Sequence, residues 1–428
     1  MNPLMTLWHY FRIRRQRFAS REALEAYQVK QLRRFSQKVL ANSPWFQRYA
    51  SQPMATWPLM DKSQMMAHFD VMNTQGLSRD ALMACALDSE HDRNFSRKTG
   101  KFSVGLSSGT SGQRGLFVVS PQEQQLWAGG ILAKMLPDGL FAGERVALFL
   151  RANNNLYQSV NNRWLSLIFY DLFQPFLSHT KRLTQQSPTM IVAPAQVLRA
   201  LALAVMRGEL QLTVKKVISV AEVLDEQDRQ LLQQVFGQVG EVYQATEGFL
   251  ASSCSEGTLH LNEEFLHIEP QWIDKRRFTP IITDFTRRTQ PIVRYRLDDV
   301  LVVSEQQCPC GNPARAISHI EGRSDDQLRL PDRDGGDQVI FADLCSRVLA
   351  TALPLTADYR LVQQGDSHLH LTADCSVIEL QQCKDALVLM FQQQGIDTDL
   401  LSWQLDGVLV IPQFDRKRRR IIRQGSTV

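Results

Sequence analysis

The sequence predicts a mixed α/β fold: a large N-terminal α/β domain containing a β-rich subdomain, and a small, mobile C-terminal α+β domain. Three observations lead to this prediction. Patterns of buried strands and helices alternate between residues 100 and 250, short strands dominate 250–320, and a polar, glycine-bearing run occupies 330–338. Alternating strands and helices are typical of a parallel sheet. We therefore expect a large domain over residues 1–326 and a small domain over 327–428.

Composition narrows the class of protein. The chain has 428 residues, of which 44% are hydrophobic and 21% charged, as in ordinary soluble globular proteins. Its net charge of +4 argues against nucleic acid as the main partner. It has no apolar run of about 18 residues, so no transmembrane segment is expected. The N-terminus lacks signal-peptide features, and seven cysteines are not a disulfide framework, so we expect a cytoplasmic protein.

The N-terminal region predicts helices. Residues 5–50 place five hydrophobic side chains on one helical face, namely Leu24, Tyr27, Leu32, Phe35 and Val39. A basic and aromatic cluster at 8–17 fits a solvated helix face better than a membrane contact. The stretch WPLMDKSQMMAHFD at 57–70 predicts a turn and then a helix, with Asp61 as the N-cap.

The middle of the chain supplies the strands of the α/β domain. ERVALFLRA (144–152) and TMIVAPAQ (189–196) are typical of buried strands, and VLRALALAVMRG (197–208) predicts a helix before the next strand. TLHLNEEFLHIEP (258–270) and PIVRYRLDDVLVVS (291–304) predict the short strands of the β-rich subdomain. Strand and helix patterns return after residue 358, in the predicted small domain.

A run of six small residues lies in the segment SVGLSSGTSGQRGLF, from Ser107 to Gly112. Such a run is usually a loop, because glycine supplies unusual backbone angles and Ser and Thr bond nearby amides. It can also wrap amides and hydroxyls around a phosphate. It is not a Walker A loop, because Gln113 and Arg114 follow Gly112 where a lysine would be needed.

Further motifs follow this run in a fixed order. They are SVAEVL (219–224), YQATEG (243–248), PIVRYRLDDV (291–300), EGRSDD (321–326) and RKRRRIIR (416–423). This series resembles the adenylate-forming superfamily. The segment at 57–70 and the CPCG before EGRSDD resemble its phenylacetate–CoA ligase and coenzyme F390 synthetase branch in particular. The resemblance covers nearly the whole chain from about residue 55.

The resemblance implies a role for each motif. The first motif would hold the β- and γ-phosphates of ATP through Ser107, Ser108, Gly109, Thr110, Ser111 and Gly112. Arg114 would add positive charge nearby. The resemblance also implies nucleotide contacts from Ala221 and Glu222 of SVAEVL.

The next three motifs imply contacts to adenine, phosphate, magnesium and ribose. Tyr243 is similar to the tyrosine that stacks on adenine, Thr246 would bond the α-phosphate, and Glu247 would hold Mg²⁺. Asp299 would grip the ribose hydroxyls. Arg323 is similar to an arginine that contacts ribose or phosphate.

Two aspartates in these motifs need separate treatment. Strand alternation predicts that Asp298 and Asp299 point to opposite faces, so that only one faces the nucleotide. Asp325 of EGRSDD is similar to the hinge residue between the large and small domains. A surface or cap role is the alternative for Asp298 and Asp299.

The last motif implies a lysine on a mobile loop that neutralises charge as a carboxylate attacks the α-phosphate. The alignment favours Lys417, and Arg416 and Arg418 compete with it. A solvated basic tail is the alternative, and the run could also bind polyanions.

The cysteines predict a separate metal site. Cys254 and His260 are six residues apart, and Cys308 and Cys310 form a tight CxC turn. Three thiolates and one imidazole suit a tetrahedral, structural Zn²⁺. Three unconnected cysteines and an unrelated histidine are the alternative. The other four cysteines have no partner at metal-ligand spacing and are interpreted as structural.

The expected function is an enzyme that joins a carboxylic acid to AMP from ATP, releases pyrophosphate and transfers the acyl group to a thiol. CoA is the acceptor that the resemblance implies, and a carrier-protein thiol is the alternative. Aromatic residues over 126–170 suggest an aromatic acid. Two other functions stay open: adenylylation of a small-molecule hydroxyl, as in coenzyme F390 formation, and a catalytically inactive binding protein. A homodimer also stays open.

Overall fold

The computed structural model describes residues 2–107, 114–136, 138–151, 161, 163–323 and 327–424, and of Arg323 it describes only the backbone. Five residues of the predicted phosphate loop lie outside the described residues: Ser108, Gly109, Thr110, Ser111 and Gly112. The predicted hinge residue Asp325 also lies outside them. Their roles stay predictions.

Two helices open the chain, α1 (Pro3–Arg15) and α2 (Arg21–Lys38). Ser20 caps α2, because its hydroxyl accepts a hydrogen bond from the Ala23 amide. The predicted apolar face is turned inward: Leu24 and Phe35 are buried, and Tyr27 packs against the same core.

Three shorter helices and a small antiparallel sheet follow. The helices are α3 (Lys62–Ala67), α4 (Phe69–Met72) and α5 (Arg79–His91). The strands are β1 (Lys98–Thr99), β2 (Phe102–Leu106) and β3 (Leu116–Val119). Asp61 caps α3 as predicted, since its carboxylate accepts from the Gln64 amide at 2.8 Å. The helix predicted here is interrupted at His68, where φ is −113° and ψ is +16°.

The predicted alternation produces a parallel sheet covered by helices. Its strands are β4 (Glu144–Leu150), β5 (Leu165–Asp171), β6 (Met190–Ala193), β7 (Lys216–Val220) and β8 (Val239–Ala245). The helices are α6 (Pro121–Met135), α7 (Phe176–Gln186), α8 (Ala195–Met206) and α9 (Glu226–Phe236). The parallel strands lie in the order β5-β4-β6-β7-β8. Because the strands are parallel, their carboxyl ends meet at one edge, where ligands bind in open α/β sheets.

The short strands predicted for residues 250–320 extend this sheet and do not form a sheet of their own. They are β9 (Gly248–Ser253), β10 (Leu259–Leu261), β11 (Leu266–Trp272), β12 (Arg277–Asp284), β13 (Ile292–Arg296), β14 (Asp299–Val303) and β15 (Ala316–Arg323). Strand β9 pairs antiparallel with β8, so that a 12-stranded sheet crosses the described part of the large domain.

The C-terminal elements enclose a hydrophobic core of their own. The strands are β16 (Leu328–Pro331), β17 (Asp337–Ile340), β18 (Tyr359–Gln364), β19 (His368–Ala373), β20 (Ser402–Gly407) and β21 (Ile421–Gln424). The helices are α10 (Ala342–Ala352) and α11 (Val377–Gln393). Leu361, Leu371 and Phe391 are fully buried between the sheet and these helices. The exact domain limits stay a prediction.

A buried ionic cluster joins the C-terminal region to the large domain. We call it the arginine–aspartate cluster, and it contains Arg199, Asp225, Asp228, Asp358, Arg418 and Arg420. Arg199 donates to Asp228 at 2.8 Å and to the carbonyl groups of Leu355 and Ala357. Arg418 and Arg420 both pair with Asp228, and Arg420 also pairs with Asp358 at 2.7 Å.

Replacing Asp228 by asparagine is expected to destabilise the protein by about 3–5 kcal/mol, because it leaves buried arginines without a counter-charge. Burial alone would raise the pKa of Asp228, but Arg418, Arg420 and Arg199 outweigh it and hold that pKa below its usual value. The stabilisation is therefore complete above the unfolded pKa of about 3.9 and is lost as the pH falls below it. Denaturant unfolding at pH 7 and at pH 3 measures both effects.

The matched control is Asp80→Asn, since Asp80 pairs with Arg79 but is largely exposed. Exposed pairs contribute about 0–1 kcal/mol. If both variants lose stability equally, the arginine–aspartate cluster does not hold the two regions together.

No helix in the described residues is long and apolar enough to cross a bilayer.

Candidate functional site

A cavity of about 740 Å³ lies at the carboxyl ends of the parallel strands, and the C-terminal tail closes part of it. Eight of the predicted site residues line it: Ser107, Ala221, Glu222, Tyr243, Thr246, Glu247, Asp299 and Lys417. They come from five separate stretches of the sequence. Gly322, next to Arg323, lines it as well.

The turn after β7 carries Ala221 in a left-handed conformation, with φ at +66°. The Cβ atom of an alanine is sterically strained in this conformation, whereas a glycine would not be. Such backbone outliers concentrate at functional sites. The next residue, Glu222, is held by protein groups. Its carboxylate accepts from Arg151 at 2.7 Å and from Gln196 at 2.8 Å.

The end of β8 places hydroxyls beside carboxylates. Tyr243 donates from its phenol to Asp299 at 2.5 Å, which fixes the predicted adenine-stacking ring to the predicted ribose-binding carboxylate. In the turn after β8, the Thr246 hydroxyl donates a hydrogen bond to the Glu247 carboxylate at 2.8 Å.

Sequence reasoning missed Tyr295, which also lines the cavity. Burial, followed by the neighbouring Glu247 carboxylate, raises the pKa of Tyr295 well above its usual value, so its hydroxyl stays protonated.

The prediction that Asp298 and Asp299 face opposite sides of a strand is wrong. Strand β14 begins at Asp299, and Asp298 lies in the bend before it. Strand alternation therefore does not apply to this pair, and both residues line the cavity.

The described start of the phosphate loop faces the same cavity. The Ser107 hydroxyl accepts from the Gly115 amide at 2.7 Å, which closes the base of the loop. Arg114, predicted to add charge for phosphate, forms a two-pronged pair with Glu90 at 2.6 and 2.7 Å. Lys62, which sequence reasoning did not identify, also lines the cavity beside Ser107 and Gly115.

The C-terminal basic run has a different environment at each residue. Arg416 has an exposed side chain near Asp415, while its carbonyl accepts from Gln196 at 2.7 Å. Lys417 is half-buried and lines the cavity. Arg418 lines the cavity too, but its guanidinium pairs with Asp228 in the arginine–aspartate cluster. Of the three, Lys417 is the one that lines the cavity and lies outside the arginine–aspartate cluster.

The predicted zinc ligands come together away from this cavity. Cys254 follows β9, His260 lies on β10, and Cys308 and Cys310 lie between β14 and β15. Their ligand atoms all lie within 4.8 Å of one another. The sulfurs of Cys254 and Cys308 are 3.6 Å apart, and Cys310 Sγ is 3.4 Å from His260 Nε2.

Comparisons with known proteins show the fold. The structure of 2-hydroxyisobutyryl-CoA ligase in the postadenylation state, in complex with R3-HIB-AMP, has a TM-score of 0.73 at 14% identity, covering 96% of this chain and 91% of that one. The amide bond synthetase McbA from Marinactinospora thermotolerans has a TM-score of 0.52 at 13% identity, covering 75% and 68%. The anthranilate CoA ligase AuaEII, in complex with anthranoyl-AMP, has a TM-score of 0.51 at 12%, covering 76% and 67%. No protein-family profile and no curated protein sequence matches the chain. The chain thus has the adenylate-forming fold, as predicted.

A second state of that CoA ligase is less similar to this chain. In its thioesterification state, with 2-HIB-AMP and CoA, the TM-score falls to 0.58 at 15% identity, covering 94% of this chain and 90% of that one.

Proposed function

We propose that this protein is an ATP-dependent ligase that converts a carboxylic acid into an acyl-adenylate and then transfers the acyl group to a thiol, with CoA as the acceptor. The observation that carries this proposal is the convergence of hydroxyl, carboxylate and ammonium groups from five separate stretches of the sequence on one cavity. The fold supports it, because the similar structures include two CoA ligases bound to acyl-adenylates.

In the first half-reaction, an oxygen of the carboxylate forms a bond to the α-phosphorus of ATP. The bond from that phosphorus to pyrophosphate breaks, and the electron pair leaves with pyrophosphate. Glu247 would hold the Mg²⁺ that balances the phosphate charge, and Thr246 would donate to an α-phosphate oxygen. Lys417 would neutralise the charge that builds up during the attack. Tyr243 would stack on adenine and Asp299 would bind the ribose hydroxyls. The two side chains are hydrogen-bonded to each other.

In the second half-reaction, a thiolate attacks the acyl carbonyl and AMP leaves with the electron pair of the broken C–O bond. CoA is favoured as the acceptor because the similar 2-hydroxyisobutyryl-CoA ligase binds CoA in two of its structures. A carrier-protein thiol is the competing acceptor. The sequence motifs favour the phenylacetate–CoA ligase branch of the superfamily.

Acid-dependent exchange of pyrophosphate into ATP tests the proposal. We expect exchange that requires ATP, Mg²⁺ and a carboxylic acid, followed by thioester formation when CoA is added. Exchange that depends on a hydroxyl compound instead would favour adenylylation of an alcohol. A folded protein that binds ATP but exchanges with no acid or alcohol would favour an inactive binding protein.

We also propose a structural Zn²⁺ on Cys254, His260, Cys308 and Cys310. Ligands of a tetrahedral zinc with bonds of about 2.0–2.3 Å lie roughly 3.5–3.8 Å apart, close to the two separations observed. The Nδ1 atom of His260 lies 3.0 Å from the Ala314 carbonyl, which suits donation to that oxygen and leaves Nε2 for a metal. A zinc here would tie β9 and β10 to the β14–β15 loop.

Metal analysis of the purified protein is expected to find about one zinc per chain, and His260→Ala should remove it. Loss of zinc should lower the melting temperature more than it slows adenylation, because four protein ligands leave no position for substrate. Cys85→Ser is the control, since Cys85 lies outside this group. Zinc-free protein prepared without chelators, or zinc retained by His260→Ala, would overturn the assignment.

A further inference from the structure

The cavity that contains the predicted nucleotide site is also lined by apolar residues of helix α6 and of the parallel sheet, and we call the part between them the channel. Six successive cavity-lining residues of α6 share one face of the helix: Trp127, Ala128, Ile131, Leu132, Met135 and Leu136, the last at its C-cap. Their spacing is that of a helical stripe, which normally packs directly on a sheet. Here the stripe faces the cavity along about 14 Å of helix, at 1.5 Å per residue.

The opposite wall of the channel is the inner face of the parallel sheet. Alternate residues of β4 line it, namely Val146, Leu148 and Leu150. In the register of the sheet, Met190 lies beside Val146 and Val192 beside Leu148. These positions span about 13 Å along the strand. Each of these side chains is apolar, and together they extend about as far as the α6 stripe.

Helix α6 is held from its other side by α1, which keeps the channel open. A side-chain carbon on Gly129 would lie 2.7 Å from His9 Cβ and 2.8 Å from the Thr6 carbonyl, so only glycine lets the two helices approach this closely. Arg14 of α1 donates to the Leu136 carbonyl at 2.9 Å, and Tyr10 accepts from the Leu140 amide at 2.9 Å.

We infer that the acid is an unbranched aliphatic monocarboxylic acid of about 10–14 carbons, an inference that rests on the proposed function. Its carboxylate would lie near Thr246 and Lys417, and its chain would run under α6. A channel of about 14 Å takes about 11 methylenes beyond the carboxylate, because a zigzag of C–C bonds of about 1.5 Å advances roughly 1.3 Å per carbon. Among the α6 side chains that line the cavity, Gln124 and the indole N–H of Trp127 are the polar groups, so a second polar group elsewhere along the acid would have no partner on this helix.

Pyrophosphate exchange with acids of 4 to 18 carbons, together with benzoate and phenylacetate, tests the inference. We expect kcat/KM to rise about fourfold with each added methylene, because this factor corresponds to the transfer free energy of one CH₂. Once the acyl chain fills the channel, kcat/KM should fall with each further methylene. A higher kcat/KM for benzoate or phenylacetate than for dodecanoate would overturn the inference while leaving acid activation intact.

Two variants test how far the acyl chain extends along the channel. Ala128→Phe and Leu132→Trp block it one helical turn apart, so their preferred chain lengths should differ by about four to five methylenes. In both variants the rate of exchange with butanoate relative to that with dodecanoate should rise. Gln122→Phe is the control, because Gln122 is exposed on the same helix and does not line the cavity. An unchanged chain-length optimum in both blocking variants would show that the chain does not run under α6.

Binding can be followed without catalysis through the fluorescence of Trp127, assigned with Trp127→Phe. Titration with dodecanoate should change the emission at micromolar concentrations, and butanoate should not. If no acid supports exchange but dodecanoate binds, the proposed function fails and the assignment of the channel stands. If dodecanoate does not bind, the inference fails, whatever the exchange assay shows.

Discussion

Lys417→Ala should slow acyl-adenylate formation by about 10²–10³-fold, the usual cost of losing one group that stabilises transition-state charge. Lys417 lines the cavity, whereas Arg416 is exposed and Arg418 is paired with Asp228. Transfer from a supplied acyl-adenylate to CoA should be nearly unchanged, because that step no longer forms charge at phosphorus. Single-turnover rates of the two half-reactions, measured separately, provide the comparison.

The controls distinguish this role from the alternatives for the basic run. Arg416→Ala removes a neighbouring positive charge from an exposed position and should change adenylation by less than about threefold. Arg418→Ala should lower stability, since it leaves Asp228 partly unpaired. If Arg416→Ala or Arg418→Ala abolishes adenylation in folded protein while Lys417→Ala does not, the assignment is off by one residue. If none of the three matters, Lys62 is the next cation to test.

Glu247→Gln should reduce adenylation by at least about 10³-fold at physiological Mg²⁺, because a neutral amide is a poor ligand for this hard cation. The carboxylate lies beside the Thr246 hydroxyl, at 2.8 Å, and beside Tyr295. The loss should appear largely as a higher Mg²⁺ requirement, so titration of the exchange rate with Mg²⁺ is the decisive measurement.

Glu90→Gln is the matched control, since Glu90 lines the same cavity but pairs with Arg114. Its Mg²⁺ requirement should stay close to that of the original protein. Near-normal exchange by folded Glu247→Gln would contradict the proposed metal role. An equal effect in both variants would show that the loss comes from the change in charge of the cavity and not from a lost Mg²⁺ ligand.

The fold class could be predicted from the sequence because local patterns determine it. The strands β4, β6 and β7 are short apolar runs with helices between them, and a parallel sheet is the arrangement that buries such runs. The convergence of Tyr243, Thr246 and Asp299 was predicted by the resemblance of their motifs to the adenylate-forming superfamily and not by these local patterns.

Other features depend on contacts between distant residues and could not be predicted. Asp225, Asp228 and Asp358 look like ordinary surface residues in the sequence, and only the packed chain brings them to Arg418 and Arg420. The apolar stripe of α6 has the pattern of a core helix. Whether such a stripe meets a sheet or a channel depends on where the packed chain places α6, which approaches α1 closely at Gly129.

The position of Lys417 within the C-terminal tail has a thermodynamic consequence. It directly precedes Arg418 and lies three residues before Arg420, so one short segment carries both the cavity cation and two of the three arginines of the arginine–aspartate cluster. Occupancy of the cavity and seating of the C-terminal region are therefore linked equilibria. A ligand that binds more tightly when Lys417 is in the cavity stabilises the seated tail, and a substitution that loosens the cluster lowers the affinity for that ligand in proportion to the fraction of molecules whose tail remains seated.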